Sequence, residues 1–243
     1  MPKKPRLLVF QHIALEHPGI FRDFMAEDGI EWDAVELDEG EAIPDLGGYD
    51  GLWVMGGPMD VWEEDAHPWF VAEKAAIREA VLERGLPYFG LCRGHQLLAD
   101  ALGGAVGRAE TPEIGVLDIE LTPDGRASTL FRGMGHHGKC LQWHSAEVSQ
   151  PPDGARVLAS SPACRVQALS IGEQAFSLQY HVEITETTVG DWAAVPAYKQ
   201  ALEQNLGADA LPRFHADTEA HMADFNRNAR RLYDNFMTAT GLK

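Results

Sequence analysis

Short apolar runs alternate with segments of helical period through the first half of the chain, and this alternation restricts the fold more than any other feature. The runs RLLVFQ (6–11), EWDAVEL (31–37), DGLWVMGG (50–57) and LPYFGL (86–91) have the length and character of strands. Between and after them, GIFRDFMAEDG (19–29), WFVAEKAAIREAVLERG (69–85) and RGHQLLADALGG (93–104) place apolar residues at spacings of three and four and end on glycine. Strands that alternate with helices pair in parallel, because each crossover helix returns the chain to the same end of the sheet. The expected fold is therefore α/β, a doubly wound, mostly parallel sheet.

From 114 to 180 the character changes. IGVLDIELT, KCLQWH, ARVLASS, CRVQALS and QAFSLQYH are strand-like and separated by Pro, Gly and Asp, which predicts antiparallel additions to the same sheet. Helical period returns near the end, where Met222, Phe225, Ala229, Leu232 and Phe236 form one apolar stripe, read as an outer helix covering the sheet. With no repeat or linker, residues 1–243 are expected to form a single domain, with a core over about 6–186 and a helical extension over 187–243.

Composition narrows the partners. A formal charge of −17 repels phosphate backbones, so nucleic acid and anionic membranes are not expected to bind. No apolar stretch approaches the roughly 20 residues of a membrane span, and MPKKPRLLVFQHIAL is interrupted by Gln11 and His12 without a cleavage site. The 3 cysteines are odd in number and widely spaced, which points to a reducing, cytoplasmic setting.

One of those cysteines stands where chemistry is expected. Open parallel sheets bind ligands beyond the carboxyl ends of their strands, and Cys92 follows LPYFGL at such an end. In GLCRG, Gly90 and Gly94 flank a sharp strand-to-helix turn that would present the sulfur outward, and the helix N-terminus beyond it favours thiolate. A nucleophile needs a base and an acid to orient that base. QYHVE offers both, since His181 and Glu183 point to the same side of an extended chain. A turn at Gly56, Gly57 and Pro58 ends another strand and could supply backbone donors to an oxyanion.

GLCRGHQ at 90–96, GGP at 56–58 and QYHVE at 179–183 together resemble the class I, triad-type glutamine amidotransferases. The resemblance covers roughly 6–186 and is nearest to stand-alone members related to the amidotransferase domain of GMP synthetase. It implies a flavodoxin-like sheet, with Cys92 as nucleophile, His181 as general base and acid, and Glu183 as its orienting partner. It further implies an oxyanion hole from the Gly57 and Arg93 N–H groups, and substrate contacts from Gln96, Gly56 and Ser145. No cofactor and no metal are implied. The substrate would be a small γ-glutamyl compound, hydrolysed through a glutamyl thioester to glutamate and ammonia or an amine.

Two positions depart from the family. Ala146, in WHSAEV, stands where a polar residue commonly helps hold the substrate's α-amino group, with Glu147 beside it. Arg93 stands where an apolar or aromatic residue is usual, leaving its side chain to substrate or solvent. The residues after 186 are too few for an acceptor-binding synthase domain, so either a separate synthase subunit docks over the site or γ-glutamyl compounds are hydrolysed without an acceptor. A catalytically silent binding module of the same fold is the alternative from another class. A nucleotide-binding reading is disfavoured because FQHIALEHPG lacks the glycines of a phosphate loop. His136, His137 and Cys140 match no zinc spacing and are read as a polar loop, and Trp143 and Trp192 are assigned to the core.

Overall fold

The computed structural model describes residues 4–243. Strands β1 (Arg6–Gln11), β2 (Glu31–Glu36), β3 (Gly51–Val54) and β4 (Tyr88–Leu91) pair in parallel in the order β2-β1-β3-β4, as the alternation requires. Helix α1 (Phe21–Asp28) joins β1 to β2, and α2 (Trp69–Arg78), prolonged by a π-helical turn at Glu79–Glu83, joins β3 to β4. After β4 the chain enters α3 (Arg93–Ala101).

The chain then leaves the parallel part of the sheet. The long pair β5 (Ala105–Leu121) and β6 (His137–Gln150), with α4 (Pro123–Ala127) between them, and then β7 (Ala155–Ser160) and β8 (Ala168–Ile171) are antiparallel. Strand β9 (Ala175–Leu178) runs parallel to β4 on one side and antiparallel to β8 on the other. The antiparallel strands are thus an excursion between α3 and the last parallel strand. Their placement brings the end of β9 beside the end of β4, and all nine strands form one sheet.

Strand periodicity explains why both faces are covered. Leu7 and Val9 of β1 point into one apolar cluster with Trp53, Phe89, Phe21 and Phe236, while Leu8 and Phe10 point into another with Val54, Tyr88, Phe70 and Leu97. Helices α5 (Thr188–Ala193), α6 (Pro196–Leu206) and α7 (Ala210–Ala239) follow β9. The expected stripe on α7 is buried throughout, and each large side chain in it contributes about 1.5–3 kcal/mol. Its two ends do different things. Leu232 and Phe236 cap the parallel sheet, whereas Met222 and Phe225 pack with Trp143, Trp192 and Tyr198 near the carboxyl ends of β4 and β9.

Candidate active site

The β4–α3 turn is as tight as GLCRG suggests. Cys92 has φ 49°, the only positive φ at a non-glycine residue among the described residues. Such a conformation costs about 1–3 kcal/mol and persists only where surrounding contacts impose it. Those contacts are present: the Cys92 N–H donates to Leu178 O at 2.8 Å and the Gly94 N–H to Met55 O at 3.2 Å, tying the turn to β9 and to the end of β3. A Cβ on Gly94 would lie 2.0 Å from Val54 O, so only glycine permits α3 to leave the sheet this closely.

Beyond β9 the extended chain carries Gln179, His181 and Glu183. The His181 N–H donates to Leu141 O at 2.9 Å, which fixes the segment against β6. The alternation expected for QYHVE holds: His181 Nδ1 lies 2.6 Å from Glu183 Oε1, and the Val182 N–H donates to Glu183 Oε2 at 2.9 Å. The other imidazole nitrogen is left for Cys92, whose sulfur acts on the ring electrostatically. Burial alone would push the His181 pKa down, but the Glu183 carboxylate and the Cys92 sulfur outweigh it and hold the pKa well above the usual imidazole value. Trp192 packs edge-on against the imidazole at 4.4 Å, so this tryptophan borders the site as well as the core.

The glycine turn after β3 meets the same place. Gly57, Cys92, Arg93, Gln96, Ser145 and Tyr198 are among the residues around one cavity of about 300 Å³. The backbone N–H groups of Gly57 and Arg93 have no acceptor among the described residues. The Arg93 side chain does not reach into solvent. It is buried, hydrogen-bonds to Gln96 Oε1, donates to Gly57 O at 3.2 Å and lies 3.8 Å from Asp60. Gln96 is held in place, its amide donating to Ala146 O at 2.9 Å and to Gln179 Oε1 at 3.0 Å. Gln179 in turn donates to Cys92 Sγ at 3.7 Å. Ser145 is exposed at the cavity, and Glu147 turns to the Cys164 thiol, whose pKa rises through burial first and this carboxylate among lesser causes.

Several residues at the site drew no functional reading from the sequence. Gln179 is one. The loop after β1 supplies His12 and Glu16, α2 supplies Glu73, and α6 supplies Tyr198. Glu16 is buried, accepts a hydrogen bond from the Tyr198 hydroxyl at Oε1, and has no partner for Oε2 among the described residues. Burial raises its pKa, opposed by His181 and by Tyr198. A signal existed for Glu73, which lies on the buried face of α2 with Phe70, Ala76 and Ile77, where a carboxylate needs a reason. Glu16, His181 and Glu183 bring potential metal-ligand atoms within 4.8 Å of one another. His181 and Glu183 nevertheless commit those atoms to each other and to the sulfur. His136 and His137 are exposed and Cys140 is buried, and their ligand atoms are not among those of the described residues that lie within 4.8 Å of one another.

Fold and site together define an α/β protein with a strained cysteine elbow facing a histidine–glutamate pair at the carboxyl ends of parallel strands. The sequence pattern of the family described as "Glutamine amidotransferase class-I" matches residues 22–192, and the chain belongs to that family. It is 38% identical over 158 residues to a glutamine-hydrolyzing GMP synthase of Aeropyrum pernix, a stretch that is 65% of this chain and 28% of that protein. It is 32% identical over 159 residues to one subunit of the glutamine-hydrolyzing GMP synthase of Sulfolobus acidocaldarius, covering 65% of this chain and 80% of that one. Among solved structures, a glutamine amidotransferase of Thermotoga maritima superposes with a TM-score of 0.85 at 26% identity, over 98% of this chain and 99% of that chain. A glutamine amido transferase of Methylobacillus flagellatus gives 0.86 at 28% identity, over 98% and 96%. Among the described residues no helix is long and apolar enough to cross a membrane.

Proposed function

We propose that this chain hydrolyses γ-glutamyl amides through a glutamyl thioester on Cys92. The observation that carries the reading is the placing of Cys92 and two acceptorless N–H groups, those of Gly57 and Arg93, at one cavity, with the His181–Glu183 pair buried beside the sulfur. The thiolate attacks the γ-carbonyl carbon, and the resulting oxyanion accepts hydrogen bonds from the Gly57 and Arg93 N–H groups. The His181 imidazolium, stabilised by Glu183, gives its proton to the leaving nitrogen as the C–N bond breaks, releasing ammonia or an amine. Neutral His181 then takes a proton from water, hydroxide adds to the thioester, the C–S bond breaks, and glutamate leaves with the thiolate restored. Every step uses groups of the chain and water.

Relatives whose names make them one subunit of a GMP synthase support a further step, in which a separate synthase subunit receives the ammonia. A γ-glutamyl hydrolase without an acceptor is favoured by a different observation: Ala197, Tyr198 and Gln200 of α6 form part of the wall of the cavity of about 300 Å³ and could contact a leaving group larger than ammonia. Glutamine, γ-glutamyl peptides and γ-glutamyl amines, each scored by free glutamate, separate the two. In every case Cys92→Ala is expected to abolish glutamate release while the far-ultraviolet circular dichroism stays unchanged; turnover retained in that variant would end the thioester reading. A glutamine-like electrophile that adds no mass at Cys92 would point instead to a silent binding module.

A further inference from the structure

A buried ion pair lies beneath the Gly56–Gly57 peptide and has no direct part in the steps above. His12 and Glu73 are completely buried. His12 Nε2 is 3.0 and 3.2 Å from the two Glu73 oxygens, and His12 Nδ1 is 2.8 Å from Gly56 O. A carbonyl can only accept, so Nδ1 carries a proton toward Gly56 O, and a Glu73 carboxylate would hold a second proton on Nε2 in the two-donor imidazolium. Burial opposes that charge, and Glu73 and Gly56 O overcome the opposition.

The geometry of the peptide turns this anchor into a direction. A trans peptide is planar, with the carbonyl of one residue and the N–H of the next on opposite edges, and the described residues contain no cis bond. Holding Gly56 O on His12 therefore sends the Gly57 N–H the other way, toward the cavity that Gly57 shares with Cys92. Two consecutive glycines impose no side-chain preference of their own on the orientation of this peptide. Contact is close on the His12 side, where a Cβ on Gly57 would lie 2.8 Å from the His12 Cβ. Without Glu73, a neutral His12 could place its lone pair rather than its proton against Gly56 O.

We propose that His12, held in its two-donor form by Glu73, is a positioning residue that fixes the Gly56–Gly57 peptide with its N–H aimed at the reacting oxygen. The inference rests on the thioester reading and adds a residue to its machinery. Oxyanion stabilisation depends on donors set before the reaction, so losing the anchor should lower kcat and spare KM.

Two double variants isolate the donor. H12L/E73L removes the ion pair in favour of apolar side chains, which avoids stranding a buried charge. H12N/E73L differs from it only in offering an amide N–H near the former Nδ1. The expected result is a fall in kcat of about 10²-fold or more in H12L/E73L, with KM within about twofold, and recovery of most of the loss in H12N/E73L. Alkylation of Cys92 by iodoacetamide forms no oxyanion and should proceed at the same rate in all three proteins. Crystal structures should show the Gly56 carbonyl rotated in H12L/E73L and unrotated in H12N/E73L. An undiminished kcat, an equal loss in both variants, a parallel loss of alkylation or an unrotated peptide in H12L/E73L would each overturn the proposal. A wild-type chain that alkylates at Cys92 but releases no glutamate would strike the thioester reading instead, with the crystallographic comparison still deciding whether His12 holds the peptide.

Discussion

Two of the buried histidine–glutamate pairs, His181–Glu183 and His12–Glu73, lie near one another at the strand ends, and they are assembled in opposite ways. His181 and Glu183 stand on one extended segment, and strand geometry alone brings them together. His12 and Glu73 are 61 positions apart, on the loop after β1 and on α2, and meet only because the crossover helix packs across the sheet. Their bonding differs too. The first pair leaves one imidazole nitrogen for the sulfur, while the second commits both nitrogens to acceptors. A histidine with a spare nitrogen can exchange a proton with a reacting group, and one whose two N–H groups are both occupied can only hold its neighbours in place.

The strongest way to break this contrast is to neutralise each glutamate in turn. Glu183 is the chief influence raising the His181 pKa against burial, so Glu183→Gln lowers it. In the proposed mechanism the imidazolium is the proton donor to the leaving group, and the alkaline limb of kcat/KM should therefore move to lower pH. The accompanying loss in kcat is expected to be about 10³- to 10⁴-fold. Glu73→Gln should leave the limb in place and cost far less, because a glutamine amide can donate to Nε2 while Nδ1–H stays on Gly56 O. Full pH profiles of both variants check this, and a limb displaced equally in the two would erase the distinction.

The same contrast explains what the sequence could reveal. The parallel sheet, the elbow at Cys92 and the pairing of His181 with Glu183 are encoded over short windows, in apolar periodicity, flanking glycines and alternation along a strand. His12, Glu16, Glu73 and Tyr198 enter the site through contacts between distant elements, and no local pattern specifies which elements will meet. His12, Glu16 and Tyr198 also lie outside the stretch 22–192 matched by the family pattern. For Arg93 the sequence suggests a backbone role and leaves the side chain to substrate or solvent. Its burial follows from the Gly57 carbonyl and Gln96 side chain that surround it, which only the folded chain brings together.

A smaller effect sharpens the local side of the contrast. If the elbow is determined by its own glycines, Gly94→Ala must push the new methyl into Val54 O, where backbone has to move. Overpacking of this kind should cost about 3 kcal/mol or more of unfolding free energy by urea titration. A destabilisation below about 1 kcal/mol would show that the turn adapts and that the distant contacts, rather than the glycine, set its shape.

The smallest expected effect tests the most distant contact at the site, Tyr198 on Glu16, which spans 182 positions. Tyr198→Phe leaves both Glu16 oxygens without a hydrogen bond, because Oε2 already has none among the described residues. Burial already raises the Glu16 pKa, and removing the hydroxyl raises it further. A carboxyl whose folded pKa exceeds its unfolded value disfavours the folded state once the pH passes the unfolded value, and its penalty disappears below that value, where both states are protonated. The unfolded state is common to both proteins, so the part of the cost of Tyr198→Phe that depends on the Glu16 charge, about 1 kcal/mol in all, should shrink as the pH falls through the raised folded pKa of Glu16 and be gone by the ordinary carboxylate range. Urea titrations of both proteins at neutral and mildly acidic pH measure it. A cost that stays constant with pH would mean that Tyr198 supports the fold through its ring packing in the Trp143 and Trp192 cluster, with Glu16 taking no part.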